Sequence, residues 1–257
     1  MELLRYRDLV VALVARDLKV RYRRSSIGFL WTMLQPLLMM LVLRTVFSHL
    51  FQTKSVEVPE NYAIYALAGL LFWNFFSQSI VASMNSLKGN AQLLQKLPVP
   101  KAVFPLATVL SGLINLVFAL LPLFALLVFT GHPLRWQLLF LPVAMLIVAI
   151  FTLGAGLLLS PLAVFFNDVI ELIGVLLTLL FYLTPVIYPK DIVPEHLRWV
   201  VRYNPIRSIL EVFRDPIYQG EIPPLSHLGV AVGIALLVLA LGAWVFRRSS
   251  DRIPFYI

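Results

Sequence analysis

The sequence predicts an all-α membrane protein with six transmembrane helices. Of its 257 residues 60% are hydrophobic and only 13% are charged, whereas a soluble domain carries about 25% charged residues. The apolar residues form six long runs, and the basic residues stand in short clusters between them. This distribution is typical of topology signals and of contacts with anionic lipids. It argues against nucleic-acid binding, because the net charge of +8 forms no continuous basic face.

Residues 1–24 predict an amphipathic helix that lies in the membrane interface. Such a helix is too polar to span, because one Lys or Arg at the bilayer centre costs about 2.5–3.5 kcal/mol. Asp17, Arg21 and Arg24 depart from its charged face near the end. A protein partner and a solvated turn both explain that departure. The charged face and the opposite apolar face consist of Arg5, Asp8, Arg16, Lys19 and Arg23 against Leu3, Tyr6, Val10, Leu13 and Val14.

Six apolar segments are long enough to cross a bilayer as helices. In the first, Pro36 should introduce a kink, since proline removes a helical hydrogen bond. Arg44 lies near the far end of that segment, where it either snorkels to the interface or acts as a functional charge. Gly154 and Gly156 predict close helix contacts in the fourth. The predicted spans are residues 27–51, 62–84, 103–129, 138–166, 169–188 and 228–246.

Two of the connecting segments have their own helical signals. Residues 88–101 carry three basic residues and no acidic one, and Pro98 should stop a short helix there. Residues 189–224 are amphipathic, with five basic and five acidic residues. In that segment Pro194 opens one short helix. Asn204 and Pro205 predict the start of another, with asparagine as cap and proline in the first turn.

The distribution of charge predicts the orientation. The segments placed inside hold seven basic residues at the N-terminus, three in residues 88–101 and three in the tail. The segments placed outside hold seven basic and seven acidic residues. Positive charge accumulates on the cytoplasmic side of membrane proteins, so both termini are expected in the cytoplasm.

The sequence has no recognised motif for catalysis. It contains no GxxxxGK[ST] loop for nucleotide and no HExxH or GxSxG pattern, and its four histidines are scattered. The absence of cysteine excludes disulfides and thiolate metal sites. We therefore expect a protein that is not an enzyme, with no metal and no cofactor of its own.

Four stretches in order carry a family resemblance: RDLKVRYRRSSIGFLWTMLQP, NAQLLQKLPVPKAV, TPVIYP and NPIRSILEVFRDPIYQG. Together they resemble the permease subunits of ABC type-2 polysaccharide exporters, over essentially the whole chain. The resemblance implies a homodimer of this chain with two copies of a separate ATPase, which binds ATP and Mg. It also implies a lipid-linked glycan substrate, such as O-antigen, capsule or teichoic acid, and a multi-pass location in the cytoplasmic (inner) membrane.

The resemblance also implies roles for particular residues. The contact with the ATPase would use Asp17, Lys19, Arg21, Arg23 and Arg24 and the loop residues Gln92, Leu93, Leu94, Gln95 and Lys96. The translocation pathway would be lined by Trp31, Phe181, Tyr182 and Tyr188, although packing or a place in the interfacial aromatic belt also explains each ring. The segment 189–224 would form two outer gate helices that re-enter the membrane, with gate residues Asn204, Pro205, Arg207, Glu211 and Arg214.

Two other functions fit the same sequence. An ABC type-2 exporter of a small hydrophobic drug or lipid would share the architecture. A membrane scaffold or lipid-modifying enzyme would need a constellation of carboxylate, histidine or serine residues inside the membrane, which the sequence does not show.

Overall fold

The computed structural model describes residues 6–22, 30–54, 61–96, 99–189 and 192–256, and for residues 21–22, 47–54 and 197 it describes the backbone alone. The predicted roles of Arg23, Arg24 and Pro98 lie outside these residues. The described chain is helical. Its α-helices are α1 (Arg7–Tyr22), α2 (Leu30–Lys54), α3 (Tyr62–Gly89), α4 (Ala91–Lys96), α5 (Val103–Phe129), α6 (Leu141–Phe165), α7 (Val169–Leu183), α8 (Arg198–Arg202), α9 (Pro205–Tyr218) and α10 (Leu225–Ser250).

Four helices are long and apolar enough to cross a membrane. They are α3, α5, α10 and α6, the last together with the 3-10 turn Trp136–Phe140 that precedes it. Two shorter apolar helices, the Leu30–Val46 part of α2 and the whole of α7, correspond to the first and fifth predicted spans. The described residues therefore show a multi-pass membrane protein.

Helix α3 forms the centre of the bundle. Its rings Phe72, Trp73, Phe75 and Phe76 are all buried, and α3 packs against both α5 and α6. Phe76 stacks on Phe151 of α6 with ring centroids 5.4 Å apart. Aromatic side chains bury large areas and dominate the energetics of protein cores. This aromatic cluster therefore favours α3 over the other apolar helices for the central position.

Several helix ends differ from the predicted bounds. Helix α3 continues to Gly89 instead of ending at residue 84, and α10 covers Leu225–Ser250 instead of 228–246. In both, polar residues at the end extend the helix beyond its apolar part. Helix α7 ends at Leu183, five residues before the predicted end of the span. Pro185 causes this, because the residue before a proline is pushed out of the helical region.

The predicted close helix contacts are confirmed. A Cβ on Gly154 would lie 2.5 Å from the backbone nitrogen of Leu239 in α10, and one on Gly156 would lie 2.9 Å from the Ser83 side chain in α3. Gly242 of α10 approaches the carbonyl of Gly154 in return.

Pro36 and Pro161 lie inside their helices, so neither proline ends its helix.

Candidate functional site

One end of the bundle joins the N-terminal helix to the loop between α3 and α5; we call it the basic end. Its buried apolar residues form a cluster separate from the main core. Val10 and Leu13 of α1 pack there with Leu94 of α4, Phe104 of α5 and Phe246 of α10. The described residues of the predicted apolar face, Tyr6, Val10, Leu13 and Val14, thus pack against protein, while Leu3 lies outside the described part.

Polar contacts complete this attachment. Arg16 donates from Nη1 to Asn90 Oδ1 at 2.7 Å, and its Nη2 lies 2.9 Å from Asp17 Oδ1. Arg16 therefore links α1 to the corner between α3 and α4. Movement of that corner would be transmitted to α1, because the charge-assisted bond to Asn90 is of the stronger kind.

Basic residues in the 88–101 segment have different environments. Lys88 Nζ donates to Asn167 Oδ1 at 2.7 Å, and Lys101 Nζ donates to the Ser250 carbonyl at 2.6 Å. Both bonds hold neighbouring segments together at the basic end. Lys96, at the end of α4, is exposed.

The residues assigned to ATPase coupling are thus divided between surface and core. Leu94 is buried and Leu93 half-buried, so they anchor α4 in the apolar cluster. Asp17 is half-buried in its pair with Arg16. Arg21 belongs to α1, and its side chain is outside the described part. The exposed members are Lys19, Gln92, Gln95 and Lys96.

At the opposite end, helix α9 begins as the sequence predicts. The Asn204 side chain accepts a hydrogen bond from the Ile206 backbone N–H at 2.9 Å, and Pro205 occupies the first turn. Asn204 is buried, and its Nδ2 donates to Thr184 Oγ1 at 2.8 Å. One side chain therefore caps α9 and attaches it to the end of α7.

Arg214 makes a second attachment from α9 to the turn after α7. It is 6% exposed, and its Nη1 donates to the Pro185 carbonyl at 2.8 Å. Its guanidinium lies 4.0 Å from the centroid of the Tyr65 ring. The Tyr65 hydroxyl donates to the Tyr188 carbonyl at 2.9 Å. A buried cation is thus held by a carbonyl and an aromatic face, both of which stabilise it.

Arg207 and Glu211 form an ion pair on the same helix, with Nε 2.7 Å from Oε1. Both side chains are about one-quarter exposed. The pair satisfies both charges locally, so it does not link α9 to another element.

Three of the four proposed pathway residues line one groove. Trp31, Phe181 and Tyr182 border a groove of about 930 Å³ between α2, α3 and α7. Tyr188 does not line it: its hydroxyl donates to the Tyr182 carbonyl at 2.6 Å and so closes the turn after α7.

Three polar residues of this groove were not predicted as functional. Gln35 of α2 and Asn74 and Gln78 of α3 line the groove and also a second cavity, of about 860 Å³, between α2, α3 and α5. Two amides one turn apart in an aromatic-rich span are a signal that the sequence does contain. No group of three His, Cys, Asp or Glu residues suited to a metal occurs among the described positions.

Comparison with known proteins gives a consistent result over nearly the whole chain. The model of the family described as ABC-2 type transporter matches residues 8–218. The O-antigen export system permease protein RfbA of Myxococcus xanthus is 32% identical over 98% of this chain and 96% of its own length. The RfbA protein of Klebsiella pneumoniae is 30% identical over 95% and 93%. The polysialic acid transport protein KpsM of Escherichia coli is 23% identical over 94% and 93%.

Proposed function

This chain belongs to the ABC-2 type transporter family, and from that membership we propose that it is the membrane-spanning subunit of an ATP-driven polysaccharide exporter. The cargo would be a lipid-linked glycan of O-antigen type, moved across the cytoplasmic membrane. The observation that carries this proposal is the full-length similarity to proteins named as O-antigen and capsule export permeases. Those names favour a glycan over a small hydrophobic drug, and a transport subunit over a scaffold or lipid-modifying enzyme.

We propose six spans, with α2 and α7 added to the four long apolar helices. Helix α2 has 25 residues, about 37 Å at 1.5 Å per residue, which is enough to cross. Helix α7 has 15 residues, about 22 Å, and is too short to cross alone. Residues 184–189 continue it without helical backbone, and side chains of α3 and α9 bond the carbonyls of Pro185, Ile187 and Tyr188 that lipid would leave unpaired. An even number of spans leaves both termini on one side, and the excess of basic residues near them favours the cytoplasm.

Energy for export would come from a separate ATPase that binds ATP and Mg, since the chain has no P-loop. We propose that two copies of the ATPase dock under two copies of this chain. The docking surface is the basic end, where Lys19, Gln92, Gln95 and Lys96 are exposed. The proposed contact also includes Arg21, Arg23 and Arg24, on the sequence alone. The bond between Arg16 and Asn90 would let α1 and α4 move as one unit when the ATPase changes shape.

The outer gate would consist of the Glu195–Leu197 turn, α8 and α9. Helix α9 has one strongly apolar face, with Ile209, Leu210 and Phe213 buried against the core. Asn204 caps it, Arg207 pairs with Glu211 and Arg214 bonds a carbonyl, which allows a short helix to lie within the membrane boundary where protein covers it. The groove lined by Trp31, Phe181 and Tyr182 supports a pathway along α2 and α7.

Deletion of the gene tests the function. We expect polymer to be made and retained inside the cell, with surface glycan restored by the wild-type chain. Surface glycan at the wild-type level in the deletion strain would refute the proposal. Purification of the tagged chain should bring a P-loop ATPase with it, and ATP hydrolysis by the isolated chain would contradict the assignment of hydrolysis to a partner.

A further inference from the structure

We propose that the side-chain amides of Gln35, Asn74 and Gln78 form a binding site for uncharged, hydroxyl-rich sugar units. The inference rests on the proposed function and deepens it, because it assigns the cargo to the neutral class of glycans. It also names the residues that contact the sugars.

The three amides occupy a shared wall between two cavities. All three line both the groove between α2, α3 and α7 and the cavity between α2, α3 and α5. Asn74 is half-buried, and Gln35 and Gln78 are exposed within the isolated chain. Among the described residues none of the three has a hydrogen-bond partner. Their donors and acceptors are therefore open to whatever fills the two cavities.

An amide without a hydrogen-bond partner is unusual at the position along the membrane span where these side chains lie. Asn74 lies twelve residues after Tyr62, about 18 Å along a helix of about 42 Å, and so near the middle of the span. An unpaired amide in hydrocarbon costs several kcal/mol. Two other polar side chains on α3 avoid that cost, since Ser77 and Asn85 each donate to a backbone carbonyl one turn back, at 2.8 and 2.9 Å. Asn74 and Gln78 must meet water or a polar ligand.

Aromatic rings stand beside the amides. Trp31, Trp73, Phe181 and Tyr182 line the groove, and Trp31 and Tyr182 are 52% and 64% exposed. An amide both donates and accepts, as a sugar hydroxyl does. An aromatic face packs against the C–H face of a sugar ring and leaves its hydroxyls accessible. Amides next to open rings therefore fit a saccharide better than a lipid tail, which offers no hydrogen bond.

Charge in the two cavities decides the class of sugar. Among the described residues the lining of the groove holds no charged side chain, and the lining of the other cavity, to which α1 also contributes, holds Arg16 and Asp17, which pair with each other at 2.9 Å. A carboxylate on an acidic sugar would lose its water here without meeting a free cation, and unpaired charge is costly to desolvate. Neutral units carry no such penalty, so the site favours neutral glycans over acidic ones.

The test uses the purified complex of this chain with its ATPase in lipid nanodiscs. Two probes share one polyprenyl diphosphate lipid: one carries an oligomer of neutral hexose, the other the matching oligomer of hexuronic acid. Binding is read from tryptophan fluorescence, because Trp31 and Trp73 line the groove. Transport is read separately in vesicles. We expect the neutral probe to bind at least tenfold more tightly.

Variants locate the site. Asn74→Leu and Gln78→Met should each weaken neutral-probe binding about three- to tenfold, the effect of one lost hydrogen bond. Gln219→Met is the matched control, because that exposed amide lines neither cavity, and it should change binding less than twofold. Gln78→Lys should gain affinity for the hexuronic acid probe, a result that misfolding cannot produce.

Each failure has a distinct meaning. Equal affinity for the two probes, or unchanged neutral-probe binding in Asn74→Leu and Gln78→Met, overturns the inference and leaves the exporter assignment standing. If these variants lose the second copy of the chain in gel filtration, the inference is also overturned, because the amides would then be contacts between helices of the two copies. If neither probe is bound or transported, the proposed function fails too.

Discussion

Substitutions of Asn204 allow two contributions to stability to be measured separately: the cap of α9 and the link from α9 to α7. Its Oδ1 caps α9 through Ile206 N–H at 2.9 Å, and its Nδ2 donates to Thr184 Oγ1 at 2.8 Å. Serine caps a helix about as well as asparagine, but it has no second polar group to reach Thr184. Asn204→Ser therefore removes the link to α7 and keeps the cap, whereas Asn204→Ala removes both.

The magnitudes follow from the burial of this contact. One hydrogen bond contributes about 1 kcal/mol, and loss of a cap costs about another 1 kcal/mol. We expect about 1 kcal/mol of destabilisation for Asn204→Ser and about 2 kcal/mol for Asn204→Ala. Thr184→Val should cost about 1 kcal/mol. The double variant Asn204→Ser/Thr184→Val should cost hardly more than either single change, which corresponds to a coupling energy of about 1 kcal/mol.

Thermal unfolding of the purified complex measures these differences. For a chain of this size 1 kcal/mol shifts Tm by about 2–4 °C, so the wild type and the four variants should resolve into three levels. If the two single changes add in the double variant, the side chains do not interact, and the attachment of α9 to α7 through Asn204 is wrong. Equal Tm values for Asn204→Ser and Asn204→Ala would refute the separate contribution of the cap.

Three further predictions follow from the contacts. Gly154→Ala should lower stability by about 1–2 kcal/mol because the added Cβ meets the backbone of α10. Gly233→Ala is the control and should leave stability unchanged, because a Cβ there has nothing within 4 Å. Equal Tm values for the two variants would contradict the close contact. Arg214→Met should lower stability by about 2 kcal/mol, because it removes the bond to a carbonyl and the ring contact. Arg207→Met should lower it by about 1 kcal/mol or less, and Tm measures both changes. The reverse order would show that the buried cation is not stabilising. Lys96→Glu should weaken co-purification of the ATPase with Tm unchanged, since the side chain is exposed; wild-type yield of ATPase would remove Lys96 from the docking surface.

Local signals in the sequence account for the elements that were predicted well. Long apolar runs specify helices at α3, α5, α6 and α10 because a backbone in lipid must satisfy its own hydrogen bonds. Asn204 and Pro205 specify the start of α9 because a cap acts within three residues. Gly154 signals a close helix contact because only a residue without a side chain permits it. Each of these depends on neighbours in the chain.

The attachments at the outer end could not be read in this way. Tyr65 donates to the Tyr188 carbonyl across 123 positions of sequence, and Arg214 donates to the Pro185 carbonyl 29 residues away. Nothing in the residues around Arg214 indicates that its charge is buried. The Tyr188 hydroxyl donates to the Tyr182 carbonyl, a contact that its aromatic character alone does not indicate; its place in the pathway stays a prediction.

The membrane class, the helical runs, the family and the lack of a P-loop motif can all be read from the sequence alone. These depend on composition and short-range pattern, which act before the chain is packed. Only the tertiary structure decided that α3 lies at the centre, that Leu94 is an anchor while Lys96 is a surface residue, and that three amides from two helices share one wall. Those properties depend on which helix faces which. Because apolar residues occupy nearly every face of these helices, hydrophobicity does not specify which face of a helix packs against its neighbour. Complementary shape and buried polar contacts specify it.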